Sequence, residues 1–375
     1  MLTPHFSSVF LRFFSLLITL ILFITCIGGI TSCGKEAPNE TVLLWAPQDS
    51  PLYSSLNSMI EEYNDHLQSS DLLKISIRSF PDEEGMMDAL SSGSPDLILC
   101  SHYRQDALQQ MDLLVDLGPA AHLDISYTSD INTRFTESGH SFFPIGSDVL
   151  LLVCSDPGLF PTADSSVSAF FSSARSYSFE SGAPFFTADS FSELFYQVIL
   201  SQKQEFHASL RVDLRNAVFS SVWNEIASLA YDGVLTYASA DGSTLVRAGV
   251  LPCSVVSSIK AAGIHDMYVA AFPNSDAIHV SDSFGLLSLC HSSRIRSAGA
   301  FLQWLFESRR STALALKSGL IPAVEEPYSG SNDLEELLLS LASKSSGYYP
   351  LLSSDYYKNK EDFEEYFRRI LVSLY

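Results

Sequence analysis

Apolar residues in this chain form short continuous runs that alternate with stripes spaced three and four apart. That is the pattern of buried strands set between amphipathic helices. The first run, 41–45, stops at Ala46-Pro47 and reads as a strand. Ser50-Pro51 then supplies a helix start, with Ser as cap and Pro in the first turn. Leu52, Leu56, Met59, Ile60, Tyr63 and Leu67 make one stripe along that helix. Leu73, Ile75 and Ile77 alternate with Lys74, Ser76 and Arg78, so a second strand follows. A helix over 83–90 breaks at Ser92-Gly93-Ser94-Pro95; 96–100 is a third strand and 105–114 a third helix. Strand and helix in strict alternation predict an α/β class with a parallel sheet covered by helices.

The middle is richer in Phe, Ser and Tyr. There the pattern gives a strand over 149–154, a turn at Ser155-Asp156-Pro157-Gly158, and helices over 190–200 and 211–229. Strands over 267–272 and 285–289 come next. Ala298, Phe301, Leu302, Leu305 and Phe306 line one face of a helix, and a second over 312–317 stops at Gly319. Helices over 334–341 and 363–374 end the chain, the last with Phe363, Tyr366, Phe367, Ile370 and Leu374 on one stripe.

The amino terminus has a different character. Arg12 is the sole Lys or Arg before position 33, and an apolar run from Phe13 ends at Gly28-Gly29-Ile30-Thr31-Ser32-Cys33, after which polar residues begin. A cationic start, an apolar core and small residues before a cut describe an export signal. Ile30-Thr31-Ser32-Cys33 resembles the lipobox of bacterial lipoproteins, which implies a signal over 1–32, lipid (palmitate included) on Cys33, and a tether over 34–40. The family more often places Leu three residues before the cysteine and Gly or Ala just before it. The run from Phe13 is also close to the length of a membrane span, which leaves an uncleaved anchor as the other reading. Either way the body is expected outside the cytoplasm, at the cell membrane or the periplasmic face of an outer membrane.

Composition narrows the partners. The whole chain carries a formal net charge of −21, and losing residues 1–32, whose one charge is Arg12, makes it more negative. This argues against nucleic acid and against an anionic membrane surface as partners of the body. Beyond Cys33, Cys100, Cys154, Cys253 and Cys290 are scattered in apolar stretches, which reads as buried thiols, with a disulfide permitted by the compartment. No CxxC pair occurs, so a structural zinc site has little support, and no cofactor is expected.

Several stretches, in order, resemble the extracellular solute-binding proteins of ABC importers, in the sugar-binding group related to maltodextrin-binding protein. The opening strand with Trp45 and the helix ending Glu61-Glu62-Tyr63-Asn64 are similar to that family's first strand and helix. Ala89-Leu90-Ser91-Ser92-Gly93-Ser94-Pro95-Asp96-Leu97-Ile98 resembles its "ALASGDAPDVV", and Met111-Asp112-Leu113-Leu114-Val115-Asp116-Leu117 its "QGLLLDL". Phe143-Pro144-Ile145 through Phe160 is similar to "GLPFST…LYYNKDLF". Phe284-Gly285-Leu286, Ala300-Phe301-Leu302-Gln303-Trp304-Leu305 and Gly319-Leu320-Ile321-Pro322-Ala323 follow "GWGL", "AWEFLKFL" and "G.LPA". Residues 161–237 carry almost none of the likeness.

The resemblance implies two α/β lobes, 41–146 plus 273–312 and 147–272 plus 313–375, each a central sheet flanked by helices. Segments near 144–148, 267–273 and 310–319 would cross between them, and the lobes would close as a hinge on a solute. Ligands in open parallel sheets lie beyond the carboxyl ends of strands, which selects Trp45, Gln48 and Asp49 after the first strand and His102 and Tyr103 after the third. An aromatic plane suits a sugar ring and carboxylates suit its hydroxyls; alternatively Trp45 is core and Asp49 caps the next helix. Ser147, Asp148, Asp282 and Phe284 complete the expected ligand set. Where the family shows "GSW" this chain has Pro252-Cys253-Ser254-Val255, so one cleft aromatic is missing. Tyr348, Tyr349, Tyr356 and Tyr357 lie where late residues of such proteins reach ligand, or else form a solvated surface.

The expected function is a non-catalytic, monomeric receptor that delivers a small molecule, a saccharide by resemblance, to the membrane subunits of an importer. Binding of ferric ion through His102, Tyr103 and Asp148, or of a protein partner, is the alternative. No GxSxG or HExxH motif supports a hydrolase.

Overall fold

The computed structural model describes residues 41–67, 71–117, 125, 141–159, 166–201, 217–237, 248–263, 267–273, 278–289, 293–324, 326–342, 348–350 and 354–372. Strands β1 (Val42–Pro47), β2 (Ile75–Phe80) and β3 (Leu97–Ser101) are parallel, in the order β2-β1-β3. Between them lie α1 (Tyr53–His66) and α2 (Glu83–Ala89), and α3 (Arg104–Gln110) follows β3. The chain then enters β4 (Phe142–Cys154), which is buried along its whole length.

The second section holds α4 (Val167–Ser181), β5 (Phe186–Ala188), α5 (Phe191–Ser201), α6 (Ala217–Tyr231), β6 (Leu235–Tyr237), β7 (Ala248–Pro252), α7 (Cys253–Ala261) and β8 (Tyr268–Ala271). β9 (Ile278–Ser288) returns to the first section, followed by α8 (Ile295–Phe306), α9 (Arg310–Lys317), β10 (Ile321–Pro322), α10 (Asp333–Ala342), β11 (Tyr348–Pro350) and α11 (Ser354–Val372). The sheet runs β2-β1-β3-β9-β4-β7-β5-β6, with β8 and β10 also on β4 and β11 on β9.

Side chains alternate across a strand, and here the alternation sorts them into separate cores. Val42, Leu44, Ala46, Leu97 and Leu99 pack under α1, α8 and α9, whereas Trp45, Ile98 and Cys100 face the opposite core with Phe80 and Met86. β4 does the same farther on. Leu150, Leu152 and Cys154 enter an aromatic core with Phe171, Phe186, Phe191 and Phe367, while Leu151 and Val153 meet Leu251 and Val256. The helical stripes hold: Leu56, Met59, Ile60 and Tyr63 of α1 are buried, as are Ala298, Phe301, Leu302, Leu305 and Phe306 of α8.

Several expectations change. Ser50 does not cap α1; Leu52 occupies that place and Ser50 accepts the Leu52 N–H at 3.4 Å from the preceding turn. β4 begins seven positions early, at Phe142, because Pro144 and Gly146 sit at a register shift against β9 and cost the ladder little. β9 likewise begins at Ile278. β8 pairs along its length with the far end of β4, while β9 runs beside both β3 and β4. Residues 144–148 lie within β4.

Gly285 marks the tightest approach of two strands. A Cβ there would lie 2.3 Å from the Phe143 carbonyl and 2.9 Å from the Phe142 ring. Gly285→Ala is therefore expected to cost about 1–3 kcal/mol, the range for overpacking a core. A urea midpoint unchanged from wild type would show that β4 and β9 separate more readily than this packing implies.

Candidate functional site

Parallel strands β1, β2 and β3 end on one edge, and the loops beyond them share it. β1 leads to Gln48 and Asp49, both exposed, with the Gln48 N–H donating to Phe80 at 2.8 Å. β2 leads to Asp82 and Glu83 at the start of α2, and β3 to His102, Tyr103 and Arg104. Partial burial pushes the Asp49 carboxyl up from its ordinary value, and the nearby Asp82 charge adds to this.

Glu83 organises that edge. Its carboxylate accepts the Ser101 N–H at 2.7 Å, the Ser101 hydroxyl at 3.2 Å and the Arg104 Nε–H at 3.3 Å. The Arg104 guanidinium in turn lies 4.2 Å from the centre of the Tyr103 ring, a cation–π contact. His102 donates its backbone N–H to Ser283 of β9 at 2.7 Å and sets its ring edge-on to Phe142. Burial lowers the His102 imidazole to about 4, so at neutral pH it is an uncharged hydrogen-bonding group.

β9 brings Asp282 to the same edge. Ser101 pairs with Phe284, which places Ser283 one residue and Asp282 two residues beyond the end of β3. Burial raises the Asp282 carboxyl well above the usual range; Glu83 adds to the shift, and Lys360 of α11 opposes it. The Tyr103 phenol is raised by burial too, with Arg104, Glu83, Asp282 and Glu361 all close enough to act on it. Carboxylates, a guanidinium, an ammonium, a phenol and an imidazole thus gather along this edge from segments far apart in the chain.

Lys360 stands at the end of a deeper charge cluster. Its ammonium pairs with Glu193 of α5, which also pairs with His279 at the start of β9. Glu193 is 2% exposed and His279 wholly buried. Gln197, one turn on from Glu193, accepts the His279 backbone N–H at 2.9 Å. Glu364, one turn on from Lys360, accepts from Ser190, Ser192 and Tyr237 and so fixes α11 against the start of α5.

Of the residues selected from the sequence, Gln48, Asp49, His102, Tyr103, Asp282 and Phe284 fall along this edge. Trp45 does not present a free face. It is 1% exposed, packs on Phe80 at 4.9 Å between ring centres, and leaves no room for a side chain at Gly93. The core alternative holds for it, whereas Asp49 caps no helix. Ser147 and Asp148 are 3% and 6% exposed and spend their side chains on the protein itself, Ser147 on Ser283 and Asp148 on Cys253 and Ser254. Pro252-Cys253-Ser254 forms the junction of β7 with α7, so a buried thiol and a bonded hydroxyl stand where the aromatic was missed.

Glu83, Arg104, Glu193, His279 and Lys360 were not selected from the sequence. Glu83 had one usable signal, a carboxylate in the first turn of a helix after a parallel strand. The others meet only through the fold. Cys100, Cys154 and Cys253 are buried free thiols. Cys33, Cys290 and the signal and tether lie outside the described residues, as do the side chains of Tyr348, Tyr349, Tyr356 and Tyr357.

No family model matches the chain, and no curated protein is matched by sequence. Solved structures match it over most of its length. A cyclic alpha-maltosyl-1,6-maltose binding protein from Arthrobacter globiformis aligns with a TM-score of 0.69 at 15% identity, over 90% of this chain and 94% of that one. The GacH receptor of Streptomyces glaucescens, solved unliganded and with acarbose, gives 0.69 at 16%, over 89% and 94%. The galacto-N-biose/lacto-N-biose I-binding protein of the Bifidobacterium longum ABC transporter gives 0.66 at 13%, over 89% and 94%. The chain therefore shares the two-lobed α/β fold of these structures.

Proposed function

We propose that this protein is a non-catalytic solute receptor, which holds a saccharide between two lobes and delivers it to an ABC importer. The carrying observation is the converging edge itself. Donors and acceptors on β3, α2, β9 and α11 meet where strands of the first section end, in a fold whose solved examples bind sugars. The lobes would divide where β4 and β9 pass between the sections, with Glu83, His102, Tyr103, Arg104, Asp282 and Lys360 as ligand contacts. The exposed groups are polar and the indole of Trp45 is covered, which favours a hydroxyl-rich solute held by hydrogen bonds over one held by ring stacking.

A ligand that binds only the folded state raises its stability by about 2.7 kcal/mol at a hundred times Kd. A panel of mono- to tetrasaccharides is expected to include one that raises the melting temperature in proportion to the logarithm of its concentration. If no sugar does so and amino acids or metal ions do, the saccharide assignment fails.

The receptor would be held to a membrane by lipid on Cys33. Among the described residues no helix is long and apolar enough to cross a membrane. Several acyl chains at roughly 0.8 kcal/mol per buried methylene give durable anchoring. Cys33→Ala is expected to release the protein from membranes on a high-salt wash and to abolish palmitate labelling. Retention of the variant would point to an uncleaved anchor instead.

A further inference from the structure

The strand β4 changes partners just beyond three residues, Gly146, Ser147 and Asp148. From Phe142 to Val149 it pairs with β9, with β10 also on Gly146 and Ser147, and from Leu150 onward it pairs with β7 and β8. Its ladder to β9 slips on both sides of this stretch, between Pro144 and Gly146 and between Asp148 and Val149. Such irregularities weaken the ladder and permit a bend. A flexible point in a strand that joins two sections needs something else to hold its angle.

Side chains supply that hold. Asp148 Oδ1 accepts the Ser254 N–H at 3.2 Å, the Cys253 thiol at 3.1 Å and the Val149 N–H at 3.1 Å, and its other oxygen accepts the Ser254 hydroxyl. Cys253 and Ser254 are the first residues of α7, so an aspartate from β4 serves a helix that begins 105 positions later. The Asp148 carbonyl accepts the Ser281 hydroxyl of β9 at 3.2 Å, and Ser147 bonds Ser283 at 2.6 Å. Helix α7 also abuts the turn between α9 and β10, where a Cβ on Gly319 would lie 2.2 Å from Ser257. The first turns of α7 therefore touch β4 and the α9–β10 turn at once.

We infer that Asp148 is a positioning residue, which seats the bend of β4 on the first turn of α7 and thereby sets the angle between the two sections. This rests on the two-lobe reading but not on the identity of the solute. Its consequence for binding is that the latch fixes how often the edge around Asp282 is presented in its closed form, and apparent affinity scales with that fraction.

Amide hydrogen exchange on the solute-free protein tests it. In Asp148→Ala the amides of 146–149, 281–284 and 320–323 are expected to exchange about tenfold faster, while those of β3 and α5 stay within about twofold of wild type. Asp148→Asn keeps an oxygen to accept from Ser254 and should restore most of the protection. Ser254→Ala, which removes the hydroxyl bond alone, should show the same regional pattern at smaller amplitude, and decides the matter if Asp148→Ala does not fold. Acceleration spread evenly over the chain, or hinge amides at wild-type rates, overturns the latch. Neither result bears on the saccharide panel, whose failure would leave the latch standing.

Discussion

Replacing Glu193 by Ala is expected to destabilise the protein by about 3–5 kcal/mol, the range for removing one partner of a buried ion cluster. The loss comes from what stays behind. His279 is wholly buried, and the Lys360 ammonium is directed at the same carboxylate. Without Glu193 both must find other partners, and the clamp between α5, β9 and α11 is broken on each side. Glu193→Gln should cost less, because the amide oxygen can still accept a hydrogen bond from a neighbouring donor.

The pH dependence of that loss carries a sign. Burial pushes the Glu193 carboxyl up, but Lys360 and His279 outweigh it and leave it well below its ordinary 4.5. A carboxyl held below its unfolded value contributes stability that is complete above that value and is lost as pH falls beneath it. The gap between wild type and Glu193→Gln in urea unfolding should therefore be widest near pH 7 and shrink below about pH 4.5. An equal gap at pH 7 and pH 3.5 would mean that the cluster acts by packing and not by charge.

Asp282→Asn is expected to weaken solute capture about ten- to a hundredfold, as for loss of a hydrogen bond to a charged group, while leaving the melting temperature at neutral pH the same or higher. Burial and the Glu83 charge hold the Asp282 carboxyl above its unfolded value. Such a group binds protons more tightly in the folded state, so its contribution to stability declines as pH rises above the unfolded value. At neutral pH the native protein therefore carries a cost at Asp282 that the amide does not. A cost retained in the middle of a polar edge is what a ligand contact looks like. Titration calorimetry with the solute found in the panel reads the affinity, and a thermal melt reads the stability. A lower melting temperature with unchanged affinity would make Asp282 a structural member of the β9 crossing.

The elements that were legible in the sequence are those that report their own burial. The stripe of α8, the continuous run of β3 and the stop of α9 at Gly319, where φ is +72°, needed no knowledge of a partner. Helix α4 buries Val167, Phe170, Phe171, Ala174 and Ser178, yet its sequence shows this stripe less plainly. Its outer face is Ser-rich and bears Phe179 at 91% exposure, which blurs the contrast that periodicity depends on. The first half of β9 is hard to read from sequence for a related reason. His279, Ser281, Asp282 and Ser283 look like a loop, because a strand that passes between two sections exchanges apolar neighbours for polar ones.

By itself, then, the sequence determined the α/β alternation, the apolar faces and the edge on which Asp49, His102 and Tyr103 would lie. Local periodicity depends only on which residues turn inward, and that is written within a few positions. Tertiary structure alone decided that Trp45 is covered by Phe80, that Glu193 meets His279 and Lys360, and that Asp148 serves Ser254. Each of those choices depends on strand register and helix docking between residues dozens to more than a hundred positions apart. A side chain's type fixes what it can bond; only the path of the chain fixes what stands within reach.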